Sequence, residues 1–580
     1  MKGSSSQAVP TRIRPGLVIF AVLGLTVAAL RLRMLVDLPG VLDIDTLNFG
    51  LSAFRFSLTE HQPHPPGYLG YVGFLKVIHW LAPQLSPPDV AKWGSRLSGC
   101  FSVPAAWWAV WEILKLHPGP DYVLSRGETI PRPFLLPLLA AGVAMAQPML
   151  WYYGGDGQSH GAEGTLTLIL VAATVRVVRR EGLGPRLLLV AFFGGVGMVR
   201  PTIPFLASPL LVWVFWGRPL REWAAALVVG VSSVLVWYIP LVQLSGGLDV
   251  YRRATDALVG QVFMANASIF GSRHEWIWTW RNLQVLAIAL VFAGPTFLAW
   301  IRARGETWRW IILAVVGLNI VFYSATFMGE EPGYATQIAA LSCLVPAMWP
   351  STFTRGQGVR VVAVVLLSPL LIFGPPWVLP FGFKAHIPLP TFQRVLMYDL
   401  AQTRWLEEVC PWAKEGGALV ITDNATISHS RLAPLICEGL ITALQLQHPM
   451  FNPVLDGWTV FLPDGQMGIP TGIPLEPGPA ITYTLPHSVG VVVVPTDCSR
   501  TFVQDVFKEA ACPPIHGIKT SPGGVGWPDA PLVWPASCLT DLKLMGASTL
   551  HLPVSPGYEY QGPITRPLVN PADSPAISAP

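Results

Sequence analysis

Two aspartates separated by one residue, Asp43 and Asp45 in the run VLDIDTLNFG, are the first candidates for chemistry in this chain. Carboxylates this close can hold a divalent cation, or one can serve as a base while its neighbour stays ionised. In an extended segment, side chains at i and i+2 point the same way, so the pair is expected to share a face. His61 and His64 follow in the Pro-rich run EHQPHPPGY. Either ring could bind metal, and a structural role fits that spacing equally well. Pro65 and Pro66 restrict the backbone around His64, which places its ring in a stiff, extended loop beside the acids. A divalent cation, if one binds, is expected on Asp43, Asp45 and His64.

Further polar groups stand at intervals along an otherwise apolar chain. GGDGQSHGAEG contributes Asp156, His160 and Glu163, and MGEEPGYATQ contributes Glu330, Glu331 and Tyr334. Arg200 interrupts the run GVGMVRPTIPFL. Its guanidinium suits a pair of phosphate oxygens, and the alternative is an interfacial arginine reaching for water. Asp37, Glu60 and Glu163 read equally well as hydrated loop carboxylates.

The elements that must carry these groups are membrane helices. Of 580 residues, 52% are hydrophobic and 12% charged, with mean hydropathy +0.47, 23 Trp and 26 Phe. Apolar stretches with aromatic flanks suit a bilayer and its interfaces. The net charge of +4 is scattered and forms no basic cluster interleaved with aromatics, which argues against nucleic acid as a partner. A crossing helix needs roughly 20 apolar residues, and on that measure the chain holds about eleven spans. They fall near 16–36, 95–115, 133–153, 161–178, 186–199, 202–217, 223–244, 284–301, 309–328, 335–350 and 359–379. No small-residue cleavage site follows the first, so it reads as an anchored helix and not a secretory signal.

Orientation follows from the basic residues, which favour the cytoplasmic side of short loops. Lys2, Arg12 and Arg14, then Lys115, then Arg176, Arg179, Arg180 and Arg186, and later Arg218, Arg302 and Arg355 all fall on one side if eleven spans are counted. The apolar stretch 67–83 would break that parity, so it is expected to lie on the outer surface as a juxtamembrane helix. The polar groups above then converge on the extracytoplasmic face. Ionisable groups at membrane depth tend to face a cavity or one another, which makes that convergence a candidate site.

This gives residues 1–15 as a cytoplasmic N-terminus and 16–379 as a transmembrane domain whose first outer loop covers 37–94. From 380 to 551 the texture changes. Short β-rich runs, ALVIT at 418–422 and VGVVVVP at 489–495, alternate with helical patterns such as TFVQDVFKEAA at 501–511, as in a small extracytoplasmic α/β domain. Residues 552–580 form a Pro-rich tail expected to be disordered. Five of seven cysteines lie after residue 400, consistent with an oxidising compartment, and sequence proximity favours a Cys498–Cys512 bridge.

The order of these elements resembles that of the GT-C superfamily of polytopic glycosyltransferases, the class of protein O-mannosyltransferases and the aminoarabinose transferases that modify lipid A. The resemblance rests on DID at 43–45, HQPHPPGYLGYV at 61–72, KWGSRLSGCFSVPAAWWAVW at 92–111, QPMLWYYGGDGQSHGAEGTLTLIL at 147–170, GVGMVRPTIPFLASPLLV at 195–212 and EEPGYATQIAALSCLVPA at 330–347. It covers roughly residues 15 to 379. Family motifs often carry a directly adjacent acidic pair, whereas here Ile44 separates the two aspartates and leaves open which is the base. The resemblance implies a GT-C-like helical fold and transfer of a sugar from a polyprenyl-phosphate carrier to a protein, glycolipid or polysaccharide acceptor. It also implies a multi-pass protein of the bacterial inner (plasma) membrane, in contact with membrane lipids. On that reading Asp43 or Asp45 is the base, Arg200, His64 and Tyr334 hold the donor phosphate, and His61, Asp156, His160, Glu330 and Glu331 are further site residues. Two other readings stay open. A transporter or flippase is expected to show inverted repeats and broken helices with midplane charges, and a non-catalytic scaffold predicts that losing Asp43, Asp45 and Arg200 is harmless.

Overall fold

The computed structural model describes residues 15–34, 41, 43–116, 122–123, 129–130, 132–256, 269, 276–289, 307–326, 332–348, 392–413, 417–422, 427–446, 457–463, 482–485, 489–495, 531–539, 541–543 and 549–551. The chain divides into two compact units, Met1–Thr403 and Arg404–Pro580. The domain boundary expected near 380 falls outside the described residues, as do the span 359–379, the Cys498–Cys512 pair, the helical pattern at 501–511 and the tail.

Among its described residues, the first unit is helical apart from two short antiparallel strands, β1 (Tyr122–Val123) and β2 (Thr129–Ile130). Its elements are α1 (Pro15–Met34), α2 (Ile44–Phe54), α3 (Leu69–Leu81), α4 (Pro87–Cys100), α5 (Ser102–Leu114), α6 (Arg132–Ala146), α7 (Pro148–Tyr153), α8 (His160–Val178), α9 (Leu183–Val196), α10 (Thr202–Leu206), α11 (Ser208–Phe215), α12 (Leu220–Leu244), α13 (Leu248–Thr255), α14 (Trp276–Ala289), α15 (Thr307–Thr326) and, after a 3-10 turn at Pro332–Ala335, α16 (Thr336–Ser342). Among the described residues, four stretches are long and apolar enough to cross a membrane: Gly16–Met34, His160–Val178, Leu220–Leu244 and Thr307–Ala325. On α1 and α12, Phe20, Leu23, Val27, Leu227, Val228 and Val236 are exposed. A bilayer suits such a surface, where water would not.

Several expected spans are interrupted. The span at 95–115 breaks at Phe101 between α4 and α5, that at 133–153 breaks at Gln147, and that at 202–217 breaks at Ala207. Apolar length alone does not register such breaks. At Gln147 the side-chain oxygen accepts from Met149 N and Leu150 N at 2.6 and 3.1 Å and starts a new helix at Pro148. Broken helices are one of the features expected of a transporter or flippase, so these interruptions leave that reading open. Within the stretch 67–83, Leu69–Leu81 is helical as expected, as α3.

The core is built by close helix approach. Ala105 and Ala109 of α5 and Ala140 and Ala144 of α6 are buried in one cluster with residues of α8, α9, α11 and α15. Small residues four apart let membrane helices pack backbone to backbone. At the far end of α8, Arg179 lies 2.8 Å from Glu112 of α5, which also pairs with Lys115 at 2.9 Å. Basic residues that follow the expected second and fourth spans thus meet at one end of the bundle. His160 opens α8 about 28 Å away, from its length and a 1.5 Å rise per residue.

The second unit begins within α17 (Phe392–Ala413) and carries α18 (Ile427–Ile436). Five strands, β3 (Ala418–Thr422), β4 (Leu440–Leu446), β5 (Gly457–Phe461), β7 (Val491–Val494) and β8 (Leu532–Pro535), form a sheet in the order β5-β4-β3-β7-β8. The three central strands are parallel and both edges antiparallel. This is the α/β texture expected from ALVIT and VVVV. A small sheet pairs β6 (Thr482–Thr484), β10 (Thr549–His551) and β9 (Asp541–Lys543). A Cys410–Cys437 disulfide ties α17 to the residue after α18.

Candidate active site

Asp43 caps α2. Its own backbone is extended, at φ −143° and ψ 147°, and its Oδ1 accepts the N–H of Asp45 at 2.7 Å. The helix starts at Ile44, so the two acids are a cap and a first-turn residue, and the expected strand-like alternation gives way to capping geometry. A cap aspartate satisfies an otherwise orphaned helix N–H, and an acid in the first turn suits the helix dipole.

The acids are then driven apart electrostatically. Partial burial and the adjacent Asp45 charge push the Asp43 carboxyl up to about 7. Burial also acts to raise Asp45, but the charge and contact of His64, with the Asn48 amide, outweigh it and hold that carboxyl at about 2. Asp45 Oδ1 lies 3.1 Å from both His64 Nδ1 and Asn48 Nδ2. Two carboxylates with separated pKa values can take separate acid–base roles.

His64 is buried, with its ring edge-on to Phe49 and Tyr68 at centroid distances of 5.5 and 4.9 Å. Its Nε2 lies 3.1 Å from the Tyr68 hydroxyl. Tyr68 and His61 both hold left-handed backbone conformations, φ 42° and 54°. Non-glycine residues adopt these at some strain, which is characteristic of functional sites. His61 is half-buried and acts on Asp45 through its charge.

Arg200 is 2% exposed, in the turn between α9 and α10. Its Nη1 donates to Ser159 Oγ at 2.7 Å and its Nε lies 3.1 Å from Glu163 Oε2. The guanidinium carbon stands 5.3 Å from the Tyr68 ring centre and 4.6 Å from that of Tyr334. Burial opposes its charge, but Glu163, with Tyr68, Tyr334 and Asp45, more than compensates, so the cation is held charged. This places it far from the snorkelling alternative.

Asp156 is buried under the same cluster. Its Oδ1 accepts Gln158 N at 2.9 Å and Ser95 Oγ at 3.3 Å, and its carbonyl accepts Thr46 Oγ1 at 2.5 Å. Burial pushes this carboxyl well above the ordinary range; the Gln158 N–H works against that shift and the Asp43 charge adds to it. Tyr71 of α3 donates to the carbonyls of Gly157 and Gln158 at 3.2 and 3.0 Å. Gly157 has φ +100°, and a Cβ there would collide with the Thr46 side chain, so this turn requires glycine. The 154–159 loop is thereby fastened to α2, α3 and α4.

Glu163, which from sequence reads equally well as a site group or a hydrated carboxylate, is 1% exposed. Its Oε2 accepts from His160 Nδ1 at 3.0 Å, and its Oε1 from Gln337 Nε2 at 2.8 Å and Thr202 Oγ1 at 3.2 Å. Gln337, Ser159 and Thr202 were missed. The signal available for Glu163 was its place three residues after a histidine at a helix start, facing one side. Glu60, by contrast, pairs with Arg55 near the surface. The structure also buries Lys92 and Arg96, one turn apart on α4. Glu330, Glu331 and Asp37 lie outside the described residues. Among the described residues no three His, Cys, Asp or Glu side chains could together hold a metal ion.

The fold as a whole has counterparts among solved structures. Two solved structures carry the comparison: ArnT from Cupriavidus metallidurans in the apo state, TM-score 0.51, and the same protein bound to undecaprenyl phosphate, TM-score 0.52. Each is 12% identical to this chain and covers 89% of it and 97% of its own length. No family model and no curated protein matches the sequence.

Proposed function

We propose that this chain is a membrane glycosyltransferase that moves a sugar from a polyprenyl-phosphate carrier to an acceptor on the extracytoplasmic face. The observation that carries this reading is a run of direct contacts within one cluster. Arg200 stands over Tyr68, Tyr68 meets His64, and His64 meets Asp45, two residues from the Asp43 carboxyl. A fixed cation and a carboxyl poised near neutrality are what sugar transfer from a phosphate carrier demands. The fold shared with ArnT, one of whose structures holds undecaprenyl phosphate, supports the same carrier class.

In this mechanism an acceptor hydroxyl attacks the anomeric carbon of the donor sugar. Asp43 takes the hydroxyl proton as the new C–O bond forms. The bond from that carbon to the carrier phosphate breaks, and its electron pair leaves with the phosphate oxygen, giving inversion. Arg200, fixed before reaction, stabilises the developing charge, with Tyr334 and His64 beside it. Asp45 stays ionised and orients His64. Asp43 is preferred to Asp45 as base because a base titrating near the working pH combines availability with proton affinity.

The test is incubation of membranes carrying the protein with radiolabelled sugars on a panel of polyprenyl phosphates. Label in a protein, glycolipid or polysaccharide fraction, with free polyprenyl phosphate released in equal amount, supports the reading. Donor movement across the bilayer without bond cleavage would replace it with a flippase, a reading to which the interrupted helices are also compatible.

A further inference from the structure

Glu163 has more partners than a structural acid needs. Both its oxygens are engaged from three segments: by hydrogen bonds from His160 on its own helix, Thr202 at the start of α10 and Gln337 of α16, and by an ion pair with Arg200 in the turn before α10. Arg200, Glu163, His160, Ser159 and Gln337 are all at most 2% exposed. Replacing a buried ion pair with apolar packing is often neutral or stabilising, so stability alone gives little reason to keep one here. The geometry gives a better reason. An arginine fork is planar and rigid, so fixing two of its nitrogens fixes the third. Ser159 accepts a hydrogen bond from Nη1 and the Glu163 carboxylate faces Nε as an ion pair at 3.1 Å, while Tyr68 and Tyr334 lie against the guanidinium. Nη2 is the amino group those two contacts do not use.

The same carboxylate reaches the segment that carries Tyr334. Gln337 lies three residues after it, and Thr336 Oγ1 donates to Gly333 O at 2.5 Å at the joint. Gly333 packs so tightly against the His160 ring that a Cβ there would collide with it. His160 is in turn edge-on to Tyr334 at 5.3 Å.

We infer that Glu163 is a positioning residue: it fixes the Arg200 guanidinium, and with Gln337 and His160 the Tyr334 segment, so that the Nη2 edge is presented to the carrier phosphate. This rests on the proposed role of Arg200. Because Glu163 offsets the charge of Arg200, it acts by orientation and not by adding attraction. Removing its charge should therefore lower turnover without weakening donor binding.

The experiment is a double-mutant cycle on sugar transfer, using Glu163→Gln, Arg200→Gln and both together, with a radiolabelled polyprenyl-phosphate sugar as donor. The expected result is a loss of at least tenfold in kcat for Glu163→Gln, with KM within threefold of wild type or lower. In the Arg200→Gln background the second change should cause no further loss. A carboxylate that only supports folding would lower activity by the same factor in both backgrounds, and that outcome overturns the inference while leaving the transferase reading intact. Wild-type KM and kcat in Glu163→Gln overturns it as well. If Glu163→Gln does not accumulate, Gln337→Met takes its place in the cycle, with about a threefold loss expected in wild type and none beside Arg200→Gln; equal losses in both overturn the inference. Absence of transfer by the wild type with every donor defeats the functional reading itself, and the inference with it.

Discussion

Nδ1 of His64 lies 3.1 Å from Oδ1 of Asp45, and its other ring nitrogen lies at the same distance from the Tyr68 hydroxyl. One imidazole thus joins the acidic end of the site to the aromatic ring beneath Arg200. Asp45 is committed to that ring and to Asn48, so of the two aspartates Asp43 is the one proposed as base.

Asp43→Asn separates chemistry from folding. Asparagine caps helices as well as aspartate does, so α2 keeps its start. Transfer is expected to fall by about 10²–10⁴-fold, the usual worth of a general base. Because Asp43 is raised in the folded protein, its ionised form is disfavoured there. Removing that charge should leave thermal stability at pH 8 unchanged or higher, as read by temperature-dependent aggregation in detergent.

The pH profile follows from the same shift. Asp43 is protonated below about pH 7 and available as a base above it. The rate under kcat/KM conditions should rise with pH and level off above about 7. Asp45, held at about 2, stays ionised throughout and adds no second limb. Its contribution to stability is present above the unfolded carboxylate pKa of about 3.9 and is lost as pH falls through about 2. A profile flat from pH 5 to 9 with chemistry rate-limiting would remove Asp43 from the mechanism.

Tyr68→Phe keeps the ring beneath Arg200 but takes the hydroxyl from His64. A buried ring nitrogen left without its partner costs about 1–3 kcal/mol. Transfer should drop about tenfold, and Tyr334→Phe, which leaves the His64 contact untouched, should drop it less. Equal effects in side-by-side assays would mean that the two rings matter only as surfaces.

The glycines test the scaffold. Gly157→Ala places a side chain at φ +100° against Thr46, and Gly333→Ala places one against His160. Each should destabilise by about 1–3 kcal/mol. Gly142→Ala, in α6 where a Cβ meets nothing within 4 Å, should be neutral or slightly stabilising. Thermal stability measured in the same detergent ranks the three.

Much of the site was legible because ionisable residues are scarce in apolar chains and their types announce their chemistry. Asp43, His64, Arg200, Asp156, His160 and Tyr334 could be gathered onto one face from span counting alone. The start of α2 carried a signal too, an aspartate immediately before an apolar helical pattern, but the i, i+2 spacing favoured an extended reading. The role of Glu163 was not legible because its partner Gln337 is 174 residues away. Local sequence gives no sign of a donor that only the tertiary fold supplies. The helix breaks at Phe101, Gln147 and Ala207 escaped for a related reason, since a window of apolar residues scores the same whether or not its backbone is continuous.

The most direct test of the account is the initial rate of sugar transfer from one accepted polyprenyl-phosphate donor, measured in parallel for wild type, Asp43→Asn, Asp45→Asn and Arg200→Ala at matched protein levels. Transfer is expected to fall by about 10²–10⁴-fold in Asp43→Asn and by about 10²–10³-fold in Arg200→Ala, with measurable residual transfer in Asp45→Asn. Wild-type rates in both Asp43→Asn and Arg200→Ala would contradict the account.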